Sequence, residues 1–120
     1  MHVEAKRLNG GQLDSALANE LARIQAEHLA LGPASATAFH HANMMVVVMD
    51  GVLTNAEKLL AQNGSRADVA EVRHLFQQEM ETEFRAAVEQ LTGRKVVAFL
   101  SANNLEPDVA AEIFILDAAL

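Results

Sequence analysis

Two adjacent histidines, His40 and His41, are the most obvious metal signal in the chain. They fall in the run ATAFHH, which reads as strand, and neighbours on a strand point to opposite faces, so the two imidazoles do not share an ion. No third ligand stands at a diagnostic spacing, and no metal site is assigned. His28 falls on the apolar stripe of one helical segment and His74 beside that of another, which marks both as packed or boundary histidines rather than ligands. Glu79 and Glu83, four residues apart, share one helix face and could hold a divalent ion or divide two pKa values for acid-base work. They also flank an apolar stripe, with Glu81 placed to pair with Arg85 at i,i+4, so a solvated acidic face accounts for them. Glu112 shares a strand face with Ala110 and Phe114 and reads as an edge charge that discourages misplaced pairing. Ser15, Ser35, Ser65 and Ser101 lie in no nucleophile elbow, and there is no P-loop or dinucleotide fingerprint. No catalytic or cofactor-binding residue is assigned, and the chain is read as a non-enzyme.

The stretch LTGRKVVAFL, Leu91 to Leu100, has the glycine and cations of an anion-binding corner. Gly93 follows the last apolar helical residue, and Arg94 and Lys95 sit at the negative end of the helix dipole, so helix termination explains all three. An anion would favour a helix N-terminus instead. Should Arg73 converge on Arg94 and Lys95, the three would form a small-anion site between sheet and helices. They are the candidate anion-binding residues; Thr54, Glu57 and Gly93 are structural caps.

The elements that must position these residues follow from periodicity. Leu13, Leu17, Leu21, Ile24, His28 and Leu31 recur at threes and fours, which predicts an amphipathic helix from about Gln12 to Leu31, entered at Gly10-Gly11 and stopped by Gly32-Pro33. ATAFHH and MMVVVM, separated by Ala42-Asn43, predict a hairpin. After the Asp50-Gly51 turn, Thr54 and Glu57 form a capping-box pattern for a short helix ending near Asn63-Gly64. Ser65 or Asp68 caps the longest helix, whose stripe is Val69, Val72, Phe76, Met80, Phe84, Val88 and Leu91. KVVAFLSA and VAAEIFIL, joined by NNLEPD, predict two antiparallel strands. The expected architecture is a single α+β domain over residues 1–120, in the order α-β-β-α-α-β-β, with residues 1–10 a flexible N-terminal segment. Two long helices should pack on one face of a four-stranded antiparallel sheet. MMVVVM, VVAFL and IFIL lack clean polar alternation, so the second sheet face is expected to be buried by another copy in a homodimer.

Composition narrows the partners. A chain of 120 residues suits one core without disulfides. Its formal charge of -7 repels nucleic acid and anionic headgroups, and five phenylalanines are its entire aromatic complement, which leaves few stacking platforms. The absence of cysteine excludes thiol nucleophiles and fits a reducing compartment such as the cytoplasm. The opening MHVEAKRLNG lacks the apolar stretch of a secretory signal, so the mature chain is expected to begin here. The longest apolar run, MMVVVM, is far shorter than the roughly 20 residues of a spanning helix, so no direct membrane insertion is expected.

Gly32-Pro33, VVVMDGVLTNAEKLLAQNG, VAEVRHLFQ, LTGRKVVAFLS and EPDVAAEIFIL, in this order from about Gly11 to Asp117, resemble the MpsC-like domain family, which includes the bacterial YbcI-type proteins. Thr54, Glu57, Arg73, Gly93 and Arg94 match its recurring polar and glycine positions. Relatives often carry acidic residues across the hairpin from Phe39 to Met44, where this chain reads His-His-Ala-Asn. The resemblance implies association with a sodium-translocating, membrane-potential-generating system, and related systems are connected with uptake of inorganic carbon such as bicarbonate. It therefore implies a small soluble accessory that docks on a membrane transporter subunit, in the cytoplasm or at the inner face of the membrane. Two other classes stay open: a sensor for a bicarbonate-like anion bound near Arg73 and Arg94, and, ranked last, a carboxylate or histidine metalloenzyme.

Overall fold

The computed structural model describes residues 10–29 and 32–120. The segment 1–9 and the last two residues of the expected first helix lie outside them. The chain runs α1 (Gly10–Leu29), β1 (Ser35–His41), β2 (Met44–Asp50), α2 (Asn55–Gln62), α3 (Arg66–Thr92), β3 (Val96–Asn104) and β4 (Val109–Leu116). The fold is α+β with one antiparallel sheet in the order β1-β2-β4-β3. Each hairpin closes as its turn residues dictate, with His41 opposite Met44 and Asn104 opposite Val109. Chain order and strand order differ because α2 and α3 carry the chain from β2 to the far edge, and β4 then returns between β3 and β2.

Period-2 geometry sends alternate residues to alternate faces. Met45, Val47 and Met49 of β2 and Ala110, Phe114 and Leu116 of β4 face the helices, where Leu17 and Leu21 of α1 and Phe84 and Val88 of α3 complete the core. Burying each large side chain contributes about 1.5–3 kcal/mol. Phe99 joins them, 5.0 Å from Phe114 and 6.5 Å from Phe84 between ring centroids. At Gly51, φ is 67° and a Cβ would sit 2.7 Å from the Ala34 Cβ, so both backbone conformation and space require glycine at this crossing.

The longest helix differs from its sequence reading. Its inward stripe is Val69, Arg73, Gln77, Met80, Phe84 and Val88, whereas Val72 and Phe76 are exposed together with Leu75. The reason is length: 27 residues span about 40 Å, while the nine-residue β3 spans about 30 Å, so the N-terminal turns of α3 overhang the sheet. There α3 packs on α2 around a second small core of Leu53, Ala61 and Val69. The arm so formed makes the molecule 55 Å long and 23 × 21 Å across.

Candidate functional site

Arg73 and Arg94 do not converge. One lies near the start of α3 and the other two residues past its end, 21 positions apart, or about 30 Å along a helix. Arg73 is 4% exposed and held on two of its nitrogens: Nε donates to Glu57 Oε2 at 2.9 Å, while Nη2 donates to Glu57 Oε1 at 2.5 Å and to the Val52 carbonyl. Glu57 also closes the capping box of α2, accepting from the Thr54 N–H at 2.8 Å while Thr54 Oγ1 accepts from the Glu57 N–H at 3.2 Å. Burial pushes the Glu57 carboxyl up, but hydrogen bonds from Arg73 and Thr54 outweigh it and hold the pKa below the usual range. This cluster ties α3 to the start of α2, and the guanidinium is paired with Glu57 and buried rather than open to solvent.

At the other end, Gly93 adopts φ 70° as the left-handed cap, and its N–H donates to the Glu89 carbonyl. Arg94 Nε donates to the Ala119 carbonyl at 3.1 Å, and the Lys95 N–H donates to Asp117 Oδ1 at 3.0 Å. The glycine and cations thus form a helix end stitched to the C-terminal segment. Gly93→Ala should cost about 1 kcal/mol in a thermal or urea melt, the penalty of a side chain in that conformation, since nothing lies within 4 Å to clash with it. A neutral result would show that the left-handed cap is not needed.

The histidines separate. His40 faces the helices and its Nδ1–H donates to Asp14 Oδ1 of α1 at 2.7 Å, a pairing across 26 residues that periodicity could not disclose. His41 faces the other way. His28 is no core residue: it bonds Glu83 across the α1–α3 groove, on the rim. Arg85 Nε donates to Glu81 at 2.8 Å as the i,i+4 spacing anticipated. Among the described residues no group of three or more His, Cys, Asp or Glu could hold a metal ion.

Glu112 corrects the sequence reading most sharply. β4 is an interior strand, so Glu112 is not an edge charge; it lies 3% exposed among the helix-facing residues. Gln77 Nε2 of α3 donates to its Oε1 at 3.2 Å, and Ser101 Oγ of β3 donates to the same atom. Burial pushes the carboxyl up to about 8, with the Ser101 hydrogen bond opposing only in part, so the acid is mostly neutral at pH 7.

Among the described residues no helix covers the opposite sheet face. Along its central row Phe39, Val46, Ile113 and Leu100 stand side by side in register across all four strands. The outer two, Phe39 and Leu100, are 51% and 54% exposed. Val48, Ala111 and Ile115 extend this apolar surface. Its only ionised strand residue is Asp50 at a corner, where Ser35 Oγ donates to it. Seven strand residues by four strands give about 23 × 19 Å, a continuous patch of about 450 Å² in projection, in the size range that marks interaction sites.

Among the described residues no helix is long and apolar enough to cross a membrane. No curated protein and no solved structure matches the chain. The profile of one family, described as "Na+-translocating membrane potential-generating system (MpsC)", matches residues 9–118. That span takes in every element described above, from α1 to β4. The chain belongs to the MpsC family.

Proposed function

We propose that this protein is a non-enzymatic accessory of a membrane ion or inorganic-carbon transport system, acting through protein contacts as a homodimer on the cytoplasmic side of the membrane. The uncovered sheet face is the observation that carries this reading. A chain with a formal charge of -7 repels its own copies over most of its surface. The sheet face has a single ionised residue at its corner, so it is where two copies meet without that penalty while burying apolar rows against each other. The exposed side of α3 at Val72, Leu75 and Phe76 is left for the transport complex, to which the family description points.

The test is light scattering at micromolar concentration. The wild-type protein should run at twice the chain mass, and Leu100→Glu and Phe39→Glu, both at exposed positions, should run as folded monomers. A monomeric wild type, or a dimer indifferent to both substitutions, refutes the assembly. The transport role is read separately, with a potential-sensitive dye in source cells lacking the protein: membrane potential should shift and be restored by the wild type but not by Leu100→Glu.

A further inference from the structure

A small cleft at the start of α1 holds a pairing that the docking role does not use. Gly10 and Leu13 of α1, His40 of β1, Leu91 and Thr92 at the end of α3, Arg94, and Leu120 line it, with about 130 Å³ of space. The Asp14 carboxylate takes the Nδ1–H of His40 at 2.7 Å and so fixes the ring. The other ring nitrogen, Nε2, has no partner among the described residues and lies beside the bare Cα of Gly10: a Cβ there would come 3.4 Å from Cε1 and 3.9 Å from Nε2. Arg94 is anchored through Nε on the Ala119 carbonyl, which leaves its two Nη groups for another acceptor. The first turn of α1 adds no acidic residue.

We propose that this cleft binds a small oxyanion between His40 and the guanidinium of Arg94. Among the described side chains, the charged groups facing the ring are Asp14 from α1 and Arg94 from the α3–β3 turn, with Leu120 on the wall beside them. With Nδ1–H committed to Asp14, Nε2 becomes a donor only when the imidazole is protonated, so an anion binds together with one proton on His40. Arg94 supplies a planar fork that suits two oxygens of a carboxylate-like or phosphate-like ion. The space takes an ion of a few heavy atoms and little more, since a water occupies about 30 Å³ of liquid volume. Of the three cations that the sequence grouped, only Arg94 takes part, and its partner is His40 rather than Arg73. The cleft lies on the helix-covered side, so this site is independent of the self-association reading.

Calorimetric titration of the whole chain with phosphate, sulfate and bicarbonate tests it. One-site saturable binding of at least one ion is expected, with proton uptake evident from buffers of different ionisation enthalpy. Preference between the planar and the tetrahedral ions tells which class the site serves. His40→Gln and Arg94→Gln should each weaken binding tenfold or more, equivalent to about 1.4 kcal/mol. Lys95→Gln should leave it unchanged. Gly10→Val alters no charge and fills the cleft from the helix, so it should abolish binding in a protein that still folds. Absence of saturable binding at millimolar ion, or binding indifferent to His40→Gln, Arg94→Gln and Gly10→Val, overturns the proposal.

Discussion

Glu112→Gln is expected to make the protein more stable than wild type at pH 9 and to flatten the fall of its stability between about pH 5 and pH 8. Glu112 ionises at about 8 in the folded chain against 4.5 for the free side chain. Between those values the folded state binds the proton that the unfolded state has released. Stability therefore falls as pH rises, by up to about 1.4 kcal/mol per pH unit, and the loss is complete once pH exceeds the folded pKa. The groups hydrogen-bonded to the carboxyl among the described residues are Gln77 from α3 and Ser101 from β3, both uncharged. Glutamine keeps an oxygen that accepts from both donors and has no charge to bury. Urea unfolding at equal protein concentration should place variant and wild type close together at pH 5. At pH 9 the variant should lead by several kcal/mol, at most about 5 from an interval of about 3.5 pH units. Parallel pH profiles for the two proteins would show that Glu112 does not ionise in a buried setting.

Arg73→Ala should cost about 3–5 kcal/mol, the usual consequence of removing one partner of a buried ion pair. It leaves the Glu57 carboxylate, whose side chain is 14% exposed, and the Val52 carbonyl without their donor. The pH response should also change sign. In the wild type Glu57 titrates below its unfolded value, so its contribution is present above that value and is lost as pH falls through the folded one. Without Arg73, burial dominates and raises the carboxyl, so the variant regains part of its stability on acidification. Hydrogen exchange should quicken in α2 and the first turns of α3 before the sheet, because the arm rests on only the small Leu53, Ala61 and Val69 core. The double variant Arg73→Met with Glu57→Gln should recover part of the loss. Uniform destabilisation of arm and sheet would refute the idea that this pair pins the arm.

Local devices were legible in the sequence because their physics acts within a few residues. The Thr54–Glu57 box reads directly from its spacing, and the helix end at Gly93 from a glycine after the last apolar position. Both hairpins follow from β-branched runs broken by Ala42-Asn43 and by a Pro-containing turn. The α3 stripe failed where the helix leaves the sheet. Apolarity marks a core face only where an apolar layer is present to receive it, and over the arm the inward neighbour is Glu57. Arg73 therefore points in, and Val72 and Phe76 remain outside.

The sequence by itself determined the elements, their order, the antiparallel hairpins and the deficit of helix over one sheet face, all consequences of local propensity and period. Tertiary structure alone decided which strand is interior and which residues far apart in the chain meet. Because β4 returns between β2 and β3, Glu112 became a core acid rather than an edge charge. The packing of α1 on the sheet set Asp14 against His40, and the packing of α3 on α2 set Arg73 against Glu57. Such pairings are fixed by the order in which strands and helices pack, and no spacing along the chain encodes that order.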